Sequence, residues 1–340
     1  MTWMAWRLQR SVYFFFAAVS AVLVALTVSN GFNVGALRLQ WRGAPCHGGD
    51  GFAVKYQSYC QTLSSEYSRA LSSGPFFHWV ALLPVVLLGL FLGANLVAGE
   101  LDRHSARVAW TQSITRRRWF ATKVAVSVAS LVALALPLAV TASWWIGATN
   151  YTARVEPNGF IYAGWMPIVV GLFSFALATF AGALLRRPGW ALAVALALTL
   201  SAGWALQSQV ATSLVSLHRV TMRTKTVTKE GITVAAPVTI IPDSAWVVFN
   251  GLEPRNWAGA VPNWPEELKW IRETNHCPTP SKAGTGAYPR CLASYHLSEV
   301  SLYVANSEYW ALQLREGALY LFAAALLLAA ALALVRRSRV

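Results

Sequence analysis

Six stretches of this sequence run for 19 residues or more without an Asp, Glu, Lys or Arg: Ser11–Leu37, Ala70–Gly99, Val124–Ala153, Pro157–Leu185, Pro188–His218 and Gly317–Val335. The shortest, wound as an α-helix, reaches about 28 Å, close to the thickness of a bilayer's hydrocarbon core. In lipid, each backbone amide must be paired within its own helix or in a closed barrel. None of the runs alternates apolar with polar residues, so the pattern selects helices. The fold class that follows is an all-α polytopic membrane protein with six transmembrane helices. Ser11–Leu37 is read as a retained first span: its apolar core, Val12–Val28, is longer than a signal-peptide core, and no small-x-small cleavage site precedes Asn30.

Charge is scarce, at 12% of residues against 56% hydrophobic, about half the charged share of a soluble domain. The net charge of +14 would suit nucleic acid, but there is no Walker A pattern, zinc pattern or RNA-binding signature, and nucleic acid is not an expected partner. Topology explains the bases better. The N-terminus, the 100–123 loop, the Arg186–Arg187 turn and the C-terminal tail together hold thirteen Lys/Arg and two acids, a balance of +11. The remaining connections hold fifteen bases and twelve acids, a balance of +3 over much longer loops. Short, strongly basic loops stay in the cytoplasm, so both termini are expected there, in a multi-pass plasma-membrane protein.

The four cysteines, Cys46, Cys60, Cys277 and Cys291, all fall in the other set of loops. Three pairings are available. Equal separations of fourteen and shared loops favour Cys46–Cys60 and Cys277–Cys291, as expected on an oxidising exterior. A metal site on Cys46, His47 and Cys60 lacks an evident fourth ligand.

The expected organisation is an interfacial N-terminal helix over 1–10, with Trp3, Trp6, Arg7 and Arg10 at helical spacings, then spans one to five over 11–207. That second part includes an outer loop, 38–77, and the cytoplasmic loop 100–123. A small extracytoplasmic α+β domain occupies 208–307, and span six with the tail occupies 308–340. In the outer domain, "RTKTVTKEGITVAAPVTII" reads as two strands turning at Glu230–Gly231 and "NWPEELKWIRET" as a short helix. Trp246, Trp257, Trp264 and Trp270 are its expected core. Trp79, Trp144, Trp145, Trp165, Trp119 and Trp190 stand near span ends and read as an aromatic belt. Gly89 and Gly93 form a small-xxx-small face suited to dimerisation or to packing within one bundle. Pro137 is expected to bend span three, and "RRPG" at Arg186–Gly189 makes spans four and five a tight hairpin.

No Ser–His–Asp or paired-carboxylate arrangement recurs at catalytic spacing. The spans carry no ionisable side chain at mid-membrane, which argues against a carrier driven by an internal proton or sodium site. The Arg315–Glu316 pair, at the start of the last charge-free run, reads either as a solvated interfacial pair or as a polar contact at an outer gate. The charged knot between spans two and three is the outstanding feature. Glu100, Asp102, Arg103, Arg107, Arg116, Arg117, Arg118 and Lys123 are compressed between two charge-free segments of thirty residues. With Trp110 and Trp119 it offers the Arg/Trp chemistry that concentrates interface binding energy; the alternative is a lipid-anchoring basic loop. Thr115 is a candidate cap for the helix that follows.

"LVAGELDRHSARVAWTQSITRRRWFATK" resembles the first cytoplasmic loop of actinobacterial ATP-binding-cassette permeases of the type-2 exporter class. The matching residues are Glu100, Val108, Ala109, Trp110, Thr111, Gln112, Ser113, Thr115, Arg116, Arg118, Trp119 and Lys123; His104-Ser105 departs from the family's Gly-Thr. "EYWALQLREGALYL" resembles the start of the family's last span through Trp310, Gln313 and Glu316, the candidate outer gate. The resemblance implies that Glu100, Arg103, Arg107, Trp110, Thr111, Gln112, Arg116, Arg117 and Arg118 form a coupling loop seated on a separate cytoplasmic ABC ATPase. ATP and Mg would bind that partner, and this chain would hold no cofactor and catalyse nothing itself. A second permease chain, identical or related, would complete a path for a hydrophobic or amphipathic compound: a drug, as in multidrug efflux, a peptide antibiotic or a lipid. A membrane sensor or scaffold with a ligand-binding outer domain is the reading from another class.

Overall fold

The computed structural model describes residues 2–44, 57–72, 74–102, 115–149, 155, 157–207, 213–221, 223–229, 232–238, 245–254 and 297–337. The chain divides into two compact units, Met1–Leu214 with Tyr309–Val340, and Val215–Glu308.

The first unit is helical: α1 (Thr2–Gly43), α2 (Gln57–Ser72), α3 (Gly74–Asp102), α4 (Arg116–Thr149), α5 (Pro157–Phe160), α6 (Met166–Leu185), α7 (Pro188–Ala205) and α8 (Tyr309–Arg337). Among the described residues six helices, α1, α3, α4, α6, α7 and α8, are long and apolar enough to cross a membrane. Each coincides with one of the charge-free runs. The expected interfacial segment is not a separate helix. Residues 2–10 are the opening turns of α1, which continues unbroken to Gly43, because no Gly or Pro interrupts the hydrogen-bond ladder before Gly31. The expected outer loop contains a helix that sequence reading did not anticipate, α2, with Cys60 and Leu63 buried.

Local chemistry sets the hairpin between α6 and α7. Arg186 closes α6 in the left-handed conformation, φ 56°, its N–H donating to the Gly182 carbonyl at 3.0 Å. Pro188 then opens α7 at a position where a missing N–H costs nothing. α3 and α4 run continuously through Pro84 and Pro137.

The helices form an inner pair and an outer set. In α3 and α6, 72% of the most apolar stretch is buried, against 17–28% in α1, α4, α7 and α8. Glycine makes the inner pair possible. An added Cβ at Gly89 would run into the Gly171 carbonyl and lie 2.6 Å from Ser174 Oγ; one at Gly93 would run into the Phe175 carbonyl. Leu88, Leu92, Leu96, Leu131 and Phe175 fill the core around this contact, as the close approach of small-residue faces requires in lipid.

Two of the residues expected in an aromatic belt are buried instead. Trp145 is 1% exposed and its indole N–H donates to Asn30 Oδ1 on α1 at 2.8 Å; Trp119 is 3% exposed. A buried indole needs an acceptor, and Asn30 supplies it. Trp144, Trp165 and Trp190 do face outward. The side chain of Trp79 lies outside the described residues.

The second unit contains an antiparallel sheet of order β1 (His218–Thr221), β5 (Leu297–Val304), β4 (Trp246–Pro254), and a hairpin of β2 (Arg223–Lys229) with β3 (Ile232–Val238). The hairpin pairs Lys229 with Ile232, the register expected for a turn at Glu230–Gly231, though the turn residues lie outside the described set. His218 stacks on its cross-strand partner Tyr303, ring centroids 5.4 Å apart. The expected helix in "NWPEELKWIRET" and the core positions Trp257, Trp264 and Trp270 lie outside the described residues, as do Cys46, Cys277 and Cys291. Cys60 is not a free thiol.

Candidate functional site

Two groups of residues gather at opposite ends of the helical unit. The first is the described part of the charged knot. Glu100 is in the last turn of α3, with its side chain outside the described set; Arg103, Arg107, Trp110, Thr111 and Gln112 also lie outside it. α4 opens at Thr115, whose Oγ1 accepts from Arg118 N at 3.3 Å and whose carbonyl accepts from Trp119 N at 3.0 Å, the capping geometry that a threonine at this position predicts. The three arginines that follow then separate by role. Arg117 and Arg118 are exposed. Arg116 crosses to the other end of the chain and donates through one guanidinium nitrogen to the carbonyls of Val335 and Arg336, at 3.4 and 3.3 Å. Those carbonyls lie in the last turn of α8, where a cation also meets the negative pole of the helix. Behind this clamp Lys123 Nζ sits 4.9 Å from the ring centre of the buried Trp119. The knot is therefore tied to both α4 and α8.

The second group surrounds the start of α8. Gln313 and Glu316 are both fully buried, while Trp310 is 59% exposed. The three expected gate residues therefore do not converge. Trp310 packs outward against Trp165, centroids 5.8 Å apart. Gln313 faces the 160–165 turn. Its Nε2 donates to the Ala163 carbonyl at 2.9 Å and approaches the Tyr309 hydroxyl at 3.1 Å, its Oε1 accepts from Trp165 N at 3.3 Å, and its own carbonyl accepts Trp165 Nε1 at 3.3 Å. Burial in the same turn pushes the Tyr162 hydroxyl up to about 12, so it stays protonated at any physiological pH.

Glu316 faces a different neighbour. The reading of a solvated Arg315–Glu316 pair is overturned. Arg315 is exposed and donates to the Leu214 carbonyl, whereas Glu316 is buried and accepts from Gln207 Nε2 at 3.1 Å through Oε1. Adjacent residues on a helix point about 100° apart, so they cannot share one environment. An ionisable side chain is thus buried in the first turns of a membrane-crossing helix, near its end and not at mid-membrane. Sequence reading also missed Gln207 and Tyr320. The available signal was Tyr320 at four residues past Glu316, hence on the same face.

Two positions chosen for packing, Gly89 and Gly93, lie inside one bundle between α3 and α6.

No curated protein and no solved structure matches the chain. The sequence model of a family described as ABC-2 membrane transporter related matches residues 15–211, more than half of the chain. That stretch takes in five of the six membrane-crossing helices and the whole charged knot. With six apolar helices and this match over the knot-bearing bundle, the chain belongs to the ABC-2 membrane transporter related family, the permease component of ATP-binding-cassette transporters.

Proposed function

We propose that this chain is the membrane-spanning half of an ATP-driven exporter for a hydrophobic or amphipathic compound, and that the 100–123 segment couples it to a separate ATPase subunit. ATP and Mg bind that partner, and a second permease chain completes the pathway. The segment enters the cytoplasm, as do both termini, by the charge bias of the loops.

The observation that carries the reading is Arg116. A push on the 100–123 segment acts directly on α3 and α4, which it joins. Through the Arg116 bonds to Val335 and Arg336 the same push reaches α8. One docking event thereby moves three spans, among them α3, one of the two innermost helices. The exposed Arg117 and Arg118 beside this clamp are free to meet an acidic groove. The pairings Cys46–Cys60 and Cys277–Cys291 remain the expected staples of the exterior loops.

The test uses the complex of this chain with the ABC ATPase that copurifies with it from native membranes. Replacing Arg107 and Trp110 together with Ala is expected to lower copurification of the ATPase and its stimulated ATP hydrolysis by tenfold or more, leaving the thermal unfolding of the permease unchanged. Wild-type coupling in the double variant overturns the docking role.

A further inference from the structure

Three polar atoms in the helical unit are buried and have no hydrogen-bond partner among the described residues: Gln207 Oε1, Glu316 Oε2 and the Tyr320 hydroxyl. They belong to one place. Gln207 extends the end of α7 by one irregular turn and holds Glu316 on α8 at 3.1 Å. One turn further along each helix, a Cβ added at Gly203 of α7 would lie 4.0 Å from the Tyr320 hydroxyl. Positions 203 and 207 share a face of α7, and 316 and 320 share a face of α8, so the two faces look at each other. Phe173 of α6 closes the third side, its ring 5.3 Å from that of Tyr320 in an edge-on contact. α7 and α8 each pack on α6 but hardly on one another. The polar side chains therefore bridge a seam whose flanking helices are otherwise mostly exposed toward lipid. Glu316 and Tyr320 are 0% and 2% exposed.

Buried polar groups in proteins are satisfied, and in hydrocarbon the rule is stricter. The chemistry of these three dictates what satisfies them. With Glu316 ionised, two are acceptors only, and the third both accepts and donates. The guest must therefore bring N–H or O–H donors. Beside a carboxylate in a medium of low dielectric it must also bring positive charge. The seam offers no cluster of metal-ligating side chains among the described residues. We propose that Gln207, Glu316 and Tyr320 form a binding site for the primary ammonium group of an amphipathic molecule, whose three N–H donors match the three oxygens and whose alkyl body lies in the seam toward lipid. As the substrate class of the transporter this rests on the permease reading; as a binding site it does not.

The same headgroup chemistry has two sources, a free long-chain amine and the ethanolamine of a phospholipid. The full chain in phosphatidylcholine nanodiscs, without ATPase, is titrated with dodecylamine by calorimetry. Saturable binding of one amine per chain is expected, weakened at least tenfold by Glu316→Gln and severalfold by Tyr320→Phe, which removes a single oxygen and keeps the ring against Phe173. Dodecyltrimethylammonium, with the charge but no N–H, is expected not to saturate. Nanodiscs doped with phosphatidylethanolamine divide the sources: competition assigns the lipid headgroup, no competition assigns a free amine, and either outcome supports the site. Dodecylamine affinity within twofold of wild type in both variants, or equal binding of the quaternary compound, overturns it. Because no ATPase is present, amine binding with lost coupling would sink only the permease reading, and coupling with no amine binding would sink only the site.

Discussion

The amide of Gln313 ties the 160–165 turn to α8. It serves the Ala163 carbonyl, the Tyr309 hydroxyl and the Trp165 N–H at once, and leaving such buried groups unpaired costs about 1–3 kcal/mol each. Gly164 makes the arrangement possible: it holds φ +64°, and a Cβ there would run into the Gln313 amide. Gly164→Ala thus adds left-handed strain of about 1–2 kcal/mol to displacement of the amide. A loss of about 2–4 kcal/mol in reversible unfolding is expected. Gly189→Ala, with nothing within 4 Å of the added carbon, is expected to leave stability nearly unchanged. The presence of Gln313 and Glu316 at the start of the last span was legible through family resemblance. That their side chains face different neighbours was not, since it depends on which helices stand on either side of α8.

At the level of elements, arginines finish helices. Arg38 of α1 donates to the Ala148 carbonyl in the last turn of α4 at 2.7 Å, and Arg116 does the same for the far end of α8. Both reach carbonyls in the last turn of a helix. Arg116→Ala is accordingly expected to raise amide hydrogen exchange severalfold in residues 332–337, while Arg117→Ala and Arg118→Ala, at exposed positions, leave that segment unchanged. Equal exchange in all three variants would remove Arg116 as a link between α4 and α8. The run "TRRRW" shows charge at a span boundary, but it holds three equivalent arginines until the tertiary arrangement brings one of them to α8. The two inner helices had a partial signal. Gly89 and Gly93 mark a contact face, and only the packed α3–α6 pair identifies its occupant as Gly171, Ser174 and Phe175.

For the whole molecule, the charge bias of the loops makes a direct prediction about orientation. A Ser105→Cys chain in intact cells is expected to resist a membrane-impermeant maleimide and to react once the membrane is opened. Reaction in intact cells would invert the topology and remove the 100–123 segment from any cytoplasmic ATPase. The four outer helices present apolar surface around their circumference, including Phe32 and Leu39 on α1, Trp190 and Trp204 on α7, and Phe322 on α8, each more than 60% exposed. In a multi-pass membrane protein such surface is at home in lipid.

The number of spans, their helical nature and the hairpin strands followed from the sequence alone, because lipid permits only self-satisfied backbone and because two Val/Thr-rich runs flank a Glu-Gly turn. The tight connection between α6 and α7 followed from Pro188 and the two residues before it. Tertiary structure decided which tryptophans are core, which arginine is a clamp and where Glu316 points. Those are matters of neighbours far apart in the chain: Asn30 with Trp145, Arg116 with Val335, Gln207 with Glu316. A charge-free run fixes that a helix crosses the membrane, but its apolarity is nearly uniform around the axis, so rotation and partner are set only when the other helices pack.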